Sequence, residues 1–184
     1  RGAYIITSFG GLVSLKLLDN YLQLGFDWLW IPGLVFAGLG AVYTAFLFNQ
    51  ARARDLWQTP IQSAIHMFVH AIMAGSVVMI IIAPESSQWM ANILLWGIVA
   101  NVVIMAKEIL LPHDTPDTKK AIHLMTKGYY SKYFWAVIVM GSLIPLVVLN
   151  AFPSMSLIAG GLVLVGIFLT EFVRIRVPQM IPLS

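Results

Sequence analysis

Apolar residues in this chain fall in long runs broken by short polar segments. A membrane-spanning helix needs about 20 mainly apolar residues. Six segments meet that length, at about 4–24, 31–49, 60–83, 89–111, 133–151 and 156–174. The breaks between them carry helix start and stop signals. Trp30-Ile31-Pro32-Gly33 opens the second span. Thr59-Pro60 reads as an N-cap followed by proline at the first helical position. Pro84-Glu85-Ser86-Ser87 closes the third, and Phe152-Pro153-Ser154 separates the fifth from the sixth. The longest connection, 112–132, holds Thr115-Pro116-Asp117 as an N-cap, first position and acidic first turn, with Gly128 as a stop. It predicts a short helix over 116–127 lying at the membrane surface, with a solvated loop as the alternative. The expected fold is all-α, one polytopic bundle of six transmembrane helices over 1–184.

Composition agrees with that pattern. Of 184 residues, 59% are hydrophobic and 10% charged, against roughly 45–50% and about 25% in soluble domains. A soluble enzyme, a nucleic-acid binder and a disordered region are thereby set aside. Cysteine is absent, which removes disulfides, thiolate metal sites, cysteine-ligated iron–sulfur clusters and cysteine nucleophiles from this chain. The first residue is Arg1 and no signal-peptide pattern precedes it, so a processed or partial piece of a longer protein is expected.

The net charge of +3 matters through its placement. Six spans return the chain to the side on which it starts. That side holds Arg1, Arg52, Arg54, Lys107, Lys119, Lys120, Lys127, Lys132, Arg174 and Arg176, ten of the eleven basic residues. Only Lys16 lies elsewhere, and the opposite loops carry Asp27 and Glu85. Lys and Arg accumulate in cytoplasmic loops, so both ends of the chain are expected in the cytoplasm.

Packing between spans requires small residues. Gly33, Ala37, Ala41 and Ala45 recur every four positions; Ala159, Gly160, Gly161 and Gly166 line the last span. Pro145 is expected to kink the fifth span. Most tryptophans and tyrosines sit at span ends, as an interfacial belt requires, while Trp96 lies deeper as a core candidate.

Ionisable groups inside a span cost about 2.5–3.5 kcal/mol each on insertion scales, so those present call for a reason. Lys16 and Asp19, three apart on the first span, read either as a self-satisfied pair reaching the headgroups or as a carboxylate at a quinol or proton-exit site. His66 and His70 share one face of the third span and read either as a proton path or polar ligand site or as hydrogen-bonded histidines of the bundle interior. A bis-histidine haem is disfavoured, because two residues of one helix cannot reach opposite haem faces. Asn101 and Glu108 share a face of the fourth span, where Glu108 reads as a cytoplasmic proton mouth or an interfacial residue. Glu171 and Arg174, three apart on the last span, read first as an interfacial ion pair and second as proton-path members. No metal-ligand spacing, phosphate-binding glycine loop or nucleophile elbow is present.

Several stretches resemble one family. Tyr43-Thr44-Ala45-Phe46-Leu47, a short basic loop and Leu56-Trp57-Gln58-Thr59-Pro60 are similar to a central helix pair of the NrfD-like, polysulfide-reductase-type membrane anchors. His113-Asp114-Thr115-Pro116-Asp117, Gly128-Tyr129-Tyr130 and Phe134-Trp135 resemble its surface connection. Gly141-Ser142-Leu143-Ile144-Pro145-Leu146 and Phe172-Val173-Arg174 with Pro178-Gln179 resemble its C-terminal helices. Within the family the connection is most similar to the membrane subunits of alternative complex III.

The resemblance implies a larger subunit with two four-helix bundles, of which this chain holds the later helices. It implies a quinone or quinol (menaquinone or ubiquinone) bound near the periplasmic face of a bacterial inner membrane. Electrons would pass to a ferredoxin-like iron–sulfur subunit, connected to a molybdopterin-type subunit or c-type cytochromes, with other membrane subunits alongside. The chain itself would hold no haem or iron–sulfur cluster and would not be catalytic alone. Asp19 and Lys16 become the quinone-site candidates. His66, His70, Asn101, Glu108, Glu171 and Arg174 become the proton-path candidates. A secondary transporter or channel fragment, a haem-b quinol anchor and a structural scaffold are the rival readings.

Overall fold

The computed structural model describes residues 2–48, 60–110 and 115–181, and they are helical apart from short turns. Helix α1 (Gly2–Leu22) stops where Gln23 takes a left-handed φ of 55° and the Leu24 amide returns to the Asp19 carbonyl at 3.2 Å. This six-to-one closure satisfies a carbonyl that the helix end leaves unpaired. A short 3₁₀ turn, Asp27–Leu29, leads into α2 (Trp30–Phe48). Helix α3 (Pro60–Ile82) and α4 (Ser87–Leu110) are joined through the 3₁₀ turn Pro84–Ser86.

The predicted short helix is α5 (Pro116–Thr126). Thr115 caps it, its hydroxyl accepting from the Thr118 amide at 3.3 Å. The fifth span is one helix in three parts: α6 (Ser131–Ile138), a π turn Val139–Leu143, and α7 (Ile144–Ala151). Proline has no amide hydrogen to donate. The expected disturbance at Pro145 is met by widening the turn before it, where the Ile144 amide bonds the Val139 carbonyl five residues back. Helix α8 (Ser156–Gln179) is the last of the described helices.

Among the described residues, five helical stretches are long and apolar enough to cross a membrane. They correspond to the second through sixth predicted spans. The first predicted span folds as a helix of 21 residues, about 31 Å at 1.5 Å per residue. Lys16, Asp19, Asn20 and its small residues dilute its apolar character. Thr59, Trp57, Arg1, Arg52, Arg54 and His113 lie outside the described residues.

Helices α3, α4, α6–α7 and α8 pack around a shared core, while the α1–α2 hairpin joins through α2 against α3. Only Gly2 and Asp19 of α1 are buried. The core divides into two apolar clusters. One gathers Met73, Val77, Leu94, Ile98, Ala159 and Val163; the other gathers Met105, Met125, Phe134, Val137, Val173 and Val177. Trp96 belongs to neither: it is 69% exposed on the outer face of α4. Depth along a span does not decide facing, since lipid accepts an outward indole as readily as a bundle core does.

The π turn and α8 approach each other backbone to backbone. A Cβ added at Gly141 would lie 2.6 Å from the Gly166 Cα, and one at Gly166 would lie 2.5 Å from the Gly141 Cα. No side chain fits between the two backbones. Gly166→Ala is therefore expected to lower stability by about 1–3 kcal/mol, the usual cost of overpacking. Gly161→Ala on the same helix, with nothing within 4 Å of the added carbon, should change it by less than ~0.5 kcal/mol. Thermal denaturation of both variants in detergent measures the difference; equal shifts would contradict this packing.

Candidate functional site

Between the two apolar clusters lies a polar layer built by three helices. Helix periodicity puts His66 and His70 on one face of α3, with Ser63 one turn earlier. It likewise aligns Asn101 with Glu108 on α4 and Glu171 with Arg174 on α8. The antiparallel packing of α3 against α4 and α8 brings these three faces together.

The bonds form one connected set. Asn101 Oδ1 lies 2.8 Å from His66 Nε2 and 3.1 Å from His70 Nε2. His70 Nδ1 lies 2.8 Å from Glu171 Oε1. Arg174 donates to His66 Nδ1 and to Ser63 Oγ, the latter at 3.3 Å, and pairs with Glu108 Oε1 at 3.7 Å. The two imidazole centroids are 4.3 Å apart. His66, His70, Asn101, Glu108 and Ser63 are buried; Glu171 is about one-third exposed.

The arrangement also assigns protons. A guanidinium only donates, so His66 Nδ1 must accept from Arg174. His66 is then protonated at Nε2 and donates to Asn101, which must present its oxygen there. That choice follows from the bonding pattern, as amide orientations must. The same oxygen faces His70 Nε2, so His70 donates too. The proton on the other side of His70 is shared between Nδ1 and the Glu171 carboxylate. Every ring nitrogen of the pair is thus engaged by protein groups.

All six proton-path candidates meet here. Beyond their spacing of three along α8, Glu171 and Arg174 also have partners on other helices. Ser63 has no signal in the sequence, because a lone helical serine carries no pattern. Nor has Ser142, in the π turn, whose fully buried hydroxyl has no hydrogen-bond partner within the described residues. A cavity of about 20 Å³ adjoins the layer, lined by His66, Glu108, Arg174, Thr170, Met105 and Phe134 among others. That is room for roughly one water molecule.

The two quinone-site candidates stand apart, at the far end of α1. Asp19 is buried, with Oδ2 held by Lys16 Nζ at 2.6 Å and Oδ1 by the Phe26 amide at 2.8 Å. Lys16 also reaches Asp27 at 3.3 Å. Asp19 thereby ties the turn after α1 back onto the helix. No group of three or more potential metal-ligating residues occurs among the described residues.

A multi-pass helical membrane protein with a buried, hydrogen-bonded layer of ionisable side chains is the class that this fold and site define. The family model described as polysulphide reductase, NrfD, matches residues 8–182, and the chain belongs to that family. No curated protein and no solved structure matches it.

Removing the Asp19 carboxylate should free the turn it holds. In Asp19→Ala, backbone amides of residues 24–29 are expected to exchange faster by about 10-fold or more, because the Phe26 amide loses its charged acceptor. Hydrogen–deuterium exchange with mass spectrometry reads this directly, and unchanged protection would show that the turn is held by other contacts.

Proposed function

We propose that this chain is the quinone-interacting membrane subunit of a bacterial electron-transfer complex, of the alternative complex III or polysulfide-reductase type. Its polar layer carries protons from the cytoplasmic side of the inner membrane. The observation that carries this reading is the convergence of Arg174, Glu108, His66, Asn101, His70 and Glu171 in one connected set of bonds centred on buried His66, His70 and Asn101. Ionisable groups retained inside a membrane and facing the bundle interior mark proton or ion pathways. Histidine exchanges protons near neutral pH, and carboxylates stand at both ends of the set.

Membership of the NrfD family supports the quinone-linked setting. A bound quinol supplies two electrons and two protons. Electrons leave to a ferredoxin-like iron–sulfur subunit, joined to a molybdopterin-type subunit or a c-type cytochrome. Within this chain, Lys16 and Asp19 are the groups proposed for the quinone end: the part-exposed Lys16 ammonium is suited to a carbonyl oxygen, and Asp19, whose two oxygens are already held, positions it. The ten basic residues on the opposite side support the cytoplasmic assignment of both ends.

The engagement of every His66 and His70 nitrogen favours a relay over axial ligation of haem. The cross-helix pairing of acids with bases, with room for about one water, favours proton transfer over a solute site.

Replacing His66 and His70 with leucine in the intact complex, one at a time, is the test. Each variant is expected to lower the protons moved per electron at least tenfold in sealed proteoliposomes driven by quinol. Wild-type proton movement and wild-type quinol oxidation in both would remove the layer from the mechanism.

A further inference from the structure

The bond directions within the layer expose a break in it. Asn101 Oδ1 receives hydrogen bonds from both histidines, 2.8 Å from His66 Nε2 and 3.1 Å from His70 Nε2. An amide oxygen with two N–H groups pointed at it passes no proton between them. Neither ring offers the other a lone pair, and the amide itself does not take up a proton near neutral pH. The layer is therefore two proton-holding compartments rather than one wire. The first is Glu108, Arg174, Ser63 and His66, beside the small cavity. The second is His70 with Glu171.

We propose that Asn101 is an insulating bridge that keeps these two compartments apart, and that proton transfer between them requires its side chain to leave the line between the rings. This deepens the relay reading of the same layer and rests on it. For a proton to move from His66 Nε2 to His70, His70 must first present a lone pair at its own Nε2, having released that proton. The Asn101 amide must also give way to direct approach or to one water.

The geometry permits this motion. The ring centroids are only 4.3 Å apart, so little separates the two nitrogens once the oxygen is gone. On its other side, among the described residues, the amide is held by Nδ2 donating to Met105 Sδ at 3.8 Å. A thioether sulfur is a weak acceptor, so nothing strong anchors that end.

The test uses the intact complex in bilayers, with histidine ring nitrogens labelled with ¹⁵N and observed by solid-state NMR. In the wild type, His66 should be neutral with its proton on Nε2, and the His70 ring proton should exchange slowly with solvent. Asn101→Ala opens space for water between the rings, and the His70 proton is expected to exchange at least tenfold faster. Asn101→Leu fills the same space with an apolar group and should leave exchange slow. Wild-type exchange in Asn101→Ala, fast exchange in Asn101→Leu, or a His66 proton found on Nδ1 would each overturn the proposal. The relay reading fails separately, on unchanged proton movement in the His66 and His70 leucine variants, so the two outcomes remain distinguishable.

Discussion

Arg174 carries a permanent charge into the buried part of the bundle, and a guanidinium in a low-dielectric setting must find acceptors. It finds the Glu108 carboxylate, the Ser63 hydroxyl and the His66 ring. That contact orders what lies beyond it. Because Arg174 can only donate, His66 is fixed in one tautomer, Asn101 is fixed in one orientation, and His70 must direct its own N–H at the same amide. One positive charge on α8 thus sets the proton positions on α3 and α4. The apolar clusters on either side keep the layer out of bulk water, which strengthens each of these bonds and makes an unpaired member costly.

The backbone serves the same end. Gly141 and Gly166 let the π turn and α8 approach without intervening side chains. The residues that follow Gly166 on α8 include Thr170, Glu171 and Arg174, so the close crossing sits within two turns of the polar layer. Thr170 returns its hydroxyl to the Gly166 carbonyl at 2.8 Å, so that donor is satisfied within α8. The wide turn forced by Pro145 places Ser142 in the interior as well. Short-range backbone chemistry and long-range side-chain pairing therefore act on the same segment of α8.

Much of this was legible along the chain because membrane helices are long and their periodicity is strict. The spacing of His66 with His70, and of Asn101 with Glu108, placed each pair on one face. Burial costs then pointed those faces inward. The sequence does not reveal which helices meet. Glu171 and Arg174 looked like partners because they are three apart, and only the packing of α8 against α3 and α4 directs them to His70, His66 and Glu108. Pro145 announced a disturbed helix without specifying a π turn. Gln23 gave no sign of a left-handed turn, since that conformation is ordinarily taken by glycine. Trp96, a core candidate by its depth, faces outward for a related reason: in lipid, apolarity no longer separates inside from outside.

The central claim is that the layer changes protonation when the protein works with quinol. Infrared difference spectroscopy of the intact complex, with and without quinol turnover, tests it most directly. A carboxyl band is expected that disappears in Glu171→Gln, together with an imidazole change that disappears in His70→Leu. A difference spectrum with neither feature, recorded during wild-type turnover, would contradict the account.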